Sequence, residues 1–167
     1  MSIDKLIAIA EEQEKLLRFE HFDHSDAWHL GYIIVKKILE NRLALSVSIR
    51  LFNGLTVFQY FPEGTGLNNE SWLRRKYNTV REFETSTLLN TLHFTRRKWT
   101  FEGRGLDPAQ YVSGGGGFPI RIKGTGVIGA VLVSGLPHLE DHGIIVESAA
   151  AHLKAGDVTQ IPLDVKI

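Results

Sequence analysis

The sequence predicts an α+β fold, an α-β-α sandwich in which an antiparallel sheet is flanked by helices. Three observations carry this prediction. Two pairs of apolar, strand-like runs are each joined by a hairpin-length turn, around Asn53-Gly54 and around Gly124-Thr125-Gly126. Stripes of helical spacing lie before, between and after these pairs, giving the order α-α-β-β-α-α-β-β-α. No repeat, low-complexity tract or long linker divides the chain, so residues 1–167 read as one domain.

Ser2 can cap a first helix, in which Ile3, Leu6, Ile7 and Ala10 recur at helical spacing with Glu11, Glu12 and Glu14 on the wet side. A short extended piece around Leu17–Phe19 follows. Asp23 or Ser25 caps the second helix, whose apolar stripe is Ala27, Leu30, Gly31, Ile34, Val35, Ile38 and Leu39, and Asn41 ends it. The period then changes to two. Leu45, Val47, Ile49 and Leu51 share one face, Ser46, Ser48 and Arg50 the other. Asn53-Gly54 is a hairpin signal because a tight primed turn needs positive φ at both central residues. Leu55 to Phe61 returns as the partner strand, with Phe58, Tyr60 and Phe61 large enough to be covered on both faces, and Pro62 stops it.

After the Gly64-Thr65-Gly66 loop, Asn68 or Asn69 caps a third helix with Trp72, Leu73, Tyr77 and Val80 as its apolar positions. A break near Glu84–Ser86 and a cap at Ser86 or Thr87 predict a short further helix through Leu88, Leu89 and Leu92. Thr95 to Ser113 is the least regular segment. The second strand pair, Phe118–Lys123 and Val127–Ser134, comes next, and Pro137 opens a last helix in whose first turn its missing N–H costs little.

Composition excludes several function classes. Nineteen basic residues balance nineteen acidic ones, so the formal net charge is zero, which argues against a nucleic-acid-coating protein. There are no cysteines, so disulfide frameworks, thiolate metal sites and cysteine nucleophiles are excluded. The start MSIDKLIAIAEEQEKLL lacks a basic leader and a continuous apolar core, and no apolar run reaches the roughly 18 residues of a membrane span. The expectation is a cytoplasmic protein that engages neither nucleic acid nor membrane.

Chemistry-bearing motifs are few. Gly124-Thr125-Gly126-Val127-Ile128-Gly129 fits G-x-G-x-x-G, but the β-branched run after it predicts a strand where a dinucleotide site needs a helix. The spacing reads as a hairpin turn, with Gly129 allowing close packing. His138 and His142 are four apart at a helix start and could face one metal ion, but no third ligand stands at a recognisable spacing, and helix capping or surface roles compete. His21, Asp23, His24 and Asp26 read as a helix cap. Gly114–Gly117 can form an anion-binding nest or serve as slack before a strand, and Pro119 stiffens the chain at once. Arg74, Arg75, Lys76 and Arg81, with Arg96, Arg97 and Lys98 further on, could hold carboxylates or phosphates, or form a solvated face paired with Glu70, Glu82 and Glu84. No nucleophile elbow, P-loop or acid–base pair is legible.

The stretch Gly115-Gly116-Gly117-Phe118-Pro119-Ile120, followed by Gly126, Gly129, Val133-Ser134-Gly135 and Asp141-His142, resembles the GlcG/HbpS group of haem-degrading-domain proteins. Trp72-Leu73-Arg74-Arg75-Lys76 and the Ser134–His142 ending resemble an uncharacterised branch of that group found in yeast and bacteria. The resemblance covers essentially the whole chain. It implies a profilin-like or PAS-like sandwich, a homo-oligomer built from dimers, and binding of haem, a corrinoid or another small ligand in some members. No axial haem ligand can be matched to a position, and His142 is the only motif histidine. The leading expectation is a module without catalysis that binds a small anionic ligand or a partner protein. Arg74, Arg75, Gly115, Gly116 and Gly117 are its candidate polar groups. The competing expectation is a haem or corrinoid protein using His142, and a third is an adaptor docking through the basic helix.

Overall fold

A computed structural model describes residues 1–167. Its elements are α1 (Ile3–Leu16), α2 (His24–Glu40), β1 (Ser46–Leu51), β2 (Thr56–Tyr60), α3 (Leu67–Phe83), α4 (Thr87–Arg97), β3 (Gly117–Ile122), β4 (Gly126–Ser134) and α5 (His138–Leu153), with one 3-10 turn at Glu102–Arg104. The order is the predicted one. The four strands form one antiparallel sheet in the order β2-β1-β4-β3, so each hairpin is intact and the two hairpins join along β1 and β4.

The pleat sorts the side chains. Leu45, Val47 and Ile49 of the β1 segment, Phe118 and Ile120 of β3, and Val131 and Val133 of β4 form the main core with Ala27, Leu30, Ile34 and Ile38 of α2 and Ile145, Val146 and Ala149 of α5. Ala130 and Leu132 face the other way, against Leu73 and Val80 of α3. The helices α1 and α4 pair to one side through Leu6, Ile7, Ala10, Leu88, Leu89 and Leu92, with Leu139 and Ile161 filling in. Pro119 is tolerated because β3 is an edge strand, and Gly129 lets β1 approach: a Cβ there would lie 2.5 Å from the Arg50 carbonyl oxygen.

Local chemistry departs from expectation at several places. Glu14, expected on the wet side of α1, is buried and accepts from the Ser86 N–H. The Asn53-Gly54 turn is not a two-residue primed turn. Only Gly54 has positive φ (96°), its N–H donates to the Leu51 carbonyl oxygen at 3.0 Å, and the partner strand begins at Thr56 rather than Leu55. The longer loop lets Asn53 keep an ordinary backbone while its side chain accepts from the Leu55 N–H. The third helix starts at Leu67 with Gly66 as its cap. Asn69 serves from inside the first turn, its Oδ1 accepting from the Gly66 N–H at 3.0 Å while its Nδ2 donates to the Ser134 carbonyl oxygen. The fourth helix continues beyond Leu92 to Arg97, because Phe94 is buried and extends its apolar face. The last helix begins after Pro137, which is its N-cap.

Candidate functional site

The main cavity, of about 540 Å³, lies between the first turns of α3, the glycine segment and the start of α5. Three pieces of chain build it. Asn69 ties the start of α3 to the end of β4, which puts Asn68, Trp72 and Lys76 along one wall. Ser113, Gly114 and Gly115 form the second wall. The Ser134-Gly135-Leu136 bend and His138 form the third.

The floor is an ion pair. Lys76 Nζ donates to Asp141 Oδ2 and to the Val133 carbonyl oxygen, both at 2.8 Å, and both side chains are nearly enclosed. Asp141 Oδ1 accepts from the Leu136 N–H at 3.0 Å, so the carboxylate also fixes the bend before its own helix. Burial pushes the Lys76 ammonium below its ordinary range and the Asp141 carboxyl above its own, and each partner works against the other's shift. A buried pair of this kind stays because each charge is compensated by the other and by further hydrogen bonds, to the Val133 carbonyl oxygen and from the Leu136 N–H.

The glycine segment is a strap with two sides. Gly114 and Gly115 line the cavity, whereas Gly116 and Gly117 are packed against Lys76 and Thr87. A side chain at Gly115 would strike the His138 carbonyl oxygen, and one at Gly116 would strike Lys76 Nζ at a φ of +105°. The Gly114 N–H donates to Thr91 Oγ1 and the Gly117 N–H to Thr87 Oγ1, but those of Gly115 and Gly116 have no partner in the protein. The Asn68 amide, the Ser113 hydroxyl and the His138 imidazole are likewise without partners at this cavity.

The two histidines of the last helix part company. His138 is exposed and lines the cavity, its imidazole held below its ordinary pKa by partial burial and by the Lys76 charge, against the pull of Asp141. His142 lies behind the strap, 1 % exposed, with Nε2 at 2.8 Å from Gln13 Oε1. Gln13 Nε2 donates to the Thr159 carbonyl oxygen, so its Oε1 is the acceptor and His142 carries its proton on Nε2. The other ring nitrogen is buried without a partner, and complete burial drops the pKa to about 3. The two rings therefore do not meet, and no group of three or more His, Asp and Glu side chains could hold a metal ion.

Of the residues singled out from the sequence, Gly115 lines the cavity, Gly116 and Gly117 form the back of its strap, and His142 is shut off from it. Arg74 is exposed and outside the lining. Arg75 stands behind the wall: its Nε donates to the Tyr111 carbonyl oxygen at 3.0 Å and its guanidinium lies 4.7 Å from the Trp72 ring centre. Glu70, a proposed partner for this basic helix, pairs instead with Arg50 at 2.7 Å. The sequence shows Lys76 as one of a basic group able to hold carboxylates and Asp141 as part of the Asp141-His142 motif, but their pairing is not read from it, although a signal is present. Lys76 falls between Leu73 and Val80 on the buried stripe of α3, and Asp141 is four residues before buried Ile145. A charge on an apolar stripe needs a partner.

A family model described as "Haem degrading protein HbpS-like" matches residues 22–150. The chain belongs to the HbpS-like family. It is 40 % identical over 154 residues to the UPF0303 protein mlr5144 of Mesorhizobium japonicum, covering 92 % of both chains. It is 38 % identical over 151 residues to the UPF0303 protein YE1367 of Yersinia enterocolitica, covering 90 % of this chain and 89 % of that one. Among solved structures, the Ybr137w protein superposes with a TM-score of 0.81 at 26 % identity, over 94 % of this chain and 90 % of the other. A complex of PduOC with haem superposes with a TM-score of 0.60 at 20 % identity, over 83 % and 97 %, a likeness of fold. The shared architecture is the α+β one derived above, five helices on a four-stranded antiparallel sheet. No helix of this HbpS-like chain is long and apolar enough to cross a membrane.

The residues present do not fit a haem. A porphyrin needs apolar cover on its faces and an axial donor. Trp72, Val112, Leu136 and Ile167 are the only apolar walls of this cavity, its floor is an ion pair, and His142 faces Gln13. His138 alone offers an imidazole there.

Proposed function

We propose that this HbpS-like chain is a small-ligand-binding module, and that the cavity between α3, the glycine strap and the start of α5 takes a compact ligand carrying a carboxylate or phosphate group. The observation that carries this reading is at Gly115, a buried residue of the cavity lining whose N–H has no partner in the protein. Buried backbone donors are nearly always satisfied, and an unpartnered one facing a cavity is a place for an acceptor. The Ser113 hydroxyl, the Asn68 amide and the start of the 16-residue helix α5 add donors of the same sense. Trp72 supplies a flat apolar wall for the rest of the ligand, steadied from behind by Arg75. Lys76 and Asp141 cancel each other and give the floor a donor–acceptor pair rather than a net charge. Nothing in the cavity forms a nucleophile–base–orienter set, so the reading is binding without catalysis.

Thermal unfolding in the presence of inorganic phosphate and a panel of small carboxylates and phosphate esters tests it. At least one compound should raise the Tm of the wild type, since saturating ligand at ~100 times Kd adds about 2.7 kcal/mol of stability. The shift should shrink in Ser113→Ala and His138→Ala and in Arg75→Ala, which loosens Trp72, and persist in Arg74→Ala. A uniform response of all variants, or none of the wild type, would overturn the assignment.

Haem or a corrinoid is the second reading, favoured by the family description and by the haem-bound PduOC neighbour. Titration with haem should leave the Soret band unshifted. A shift abolished in His138→Ala would replace the first reading by this one, and a shift abolished in His142→Ala would restore His142 as the ligand.

A further inference from the structure

Of the nine lysines in the chain only Lys76 is buried, at 5 % exposure. It is also the one that lines the main cavity. Its Nζ donates to two acceptors, Asp141 Oδ2 and the Val133 carbonyl oxygen. An ammonium has three N–H groups, so one is left without a partner in the protein. The strap leaves room beside this atom: a side chain on Gly116 would collide with Nζ, and Gly116 has none. Burial favours the neutral amine, whose lone pair makes it a nucleophile. A buried ion pair is a weak stabilising device, and this one is placed where a ligand can reach it.

We propose that Lys76 condenses with the ketone of a small 2-oxo acid and holds it in the cavity as a Schiff base. The proposal rests on the ligand reading above, in which an anionic group is held at Gly115. Gly116, the residue against Nζ, is next along the strap, about 3.8 Å away between Cα atoms. A carboxylate at Gly115 therefore brings the adjoining carbon to the amine, and that carbon is the ketone of a 2-oxo acid. The neutral amine attacks it, a C–N bond forms, and the carbonyl π electrons pass to oxygen. Both amine protons end on this oxygen, which departs as water and leaves a C=N bond. Uptake of one proton then gives an iminium with a single N–H for Asp141 Oδ2. In sum, an ammonium and a ketone become an iminium and water. The positive charge beside Asp141 is conserved, so no buried carboxylate is left alone. Trp72 covers the apolar remainder of the ligand. The step reverses with water, and it retains the ligand without turning it over.

Incubation of the full chain with pyruvate and sodium cyanoborohydride tests the proposal, because hydride reduces the imine to a stable secondary amine that peptide mass mapping locates. One adduct per chain should form, at Lys76, at least about tenfold faster than at any exposed lysine, the gain in free amine for each unit of lowered pKa. Acetone, the same ketone without the carboxylate, should label Lys76 about tenfold more slowly than pyruvate, the worth of one hydrogen bond to a charged group. Lys76→Met with Asp141→Leu, which leaves no buried charge alone, should take up label only at the slow rate of the exposed lysines. Label spread evenly over the exposed lysines, or acetone as fast as pyruvate at Lys76, would overturn the proposal. So would the absence of an adduct at Lys76. If pyruvate then still raises the Tm, the ligand reading stands without the covalent step, and if no compound of the panel raises it, both fall.

Discussion

The two sides of the glycine strap differ in almost every physical respect, although they are separated by one layer of backbone. On the cavity side, His138, Ser113 and Asn68 hold free polar groups beside the Trp72 wall. On the inner side, Gly116 and Gly117 press on Lys76 and Thr87, while His142, Gln13 and the Thr159 carbonyl form a closed chain of hydrogen bonds. Both histidines belong to one helix and stand one turn apart, yet one is exposed and the other sealed. A strap without side chains is what permits this: it is thin enough to divide a binding surface from a structural core without widening either.

The comparison breaks most sharply at the ion pair beneath both sides. Asp141→Ala leaves Lys76 buried and uncompensated, and should cost about 3–5 kcal/mol in urea unfolding. Replacing both partners by apolar residues, Lys76→Met with Asp141→Leu, should recover much of that loss, since no buried charge is then left alone. A loss in the double variant as large as in the single one would mean that the bond to Leu136 matters more than the charge. Gly116→Ala comes next. It forces a side chain at positive φ into Lys76 Nζ and should cost about 1–3 kcal/mol or more by the same measurement.

His142 sharpens the inner side through pH. Its folded pKa of about 3 lies below the ordinary value of 6.5, so the unfolded chain binds the extra proton between those values. Its burial therefore leaves stability untouched above pH 6.5 and lowers it as the pH falls toward 3, with a slope approaching about 1.4 kcal/mol per pH unit. Glu14, buried with a raised pKa, works in the opposite sense above its ordinary value of 4.5. The diagnostic is consequently the difference between wild type and His142→Gln, which should lose this acid-side slope. Parallel pH–stability curves for the two would show that His142 is not the group responsible. The smallest effect belongs to the open side: His138→Ala should change stability by no more than about 0.5 kcal/mol.

Much of the fold was legible in the sequence for simple reasons. Period two at Leu45–Leu51 and a β-branched apolar run at Val127–Val133 both read as strands, and the strand after Gly126 disposes of a dinucleotide loop at once. Caps at Ser2, Asp23 and Ser86 were readable because short polar side chains satisfy free helix N–H groups locally. The start of α3 was less so, because Asn69 acts from within the first turn and reaches Ser134, a partner 65 residues away. The site was legible only in outline. The glycine strap could be picked out as a special backbone, but which glycines face outward depends on His138 and Lys76, which arrive from other elements.

The sequence alone determined the element order and the antiparallel hairpins, because periodicity and turn chemistry act over a few neighbouring residues. Tertiary structure alone decided that Lys76 meets Asp141, that Arg75 lies over the Trp72 ring, and that His138 opens to a cavity while His142 is sealed. Those outcomes depend on which surfaces touch once the helices have packed, and no local pattern carries that information.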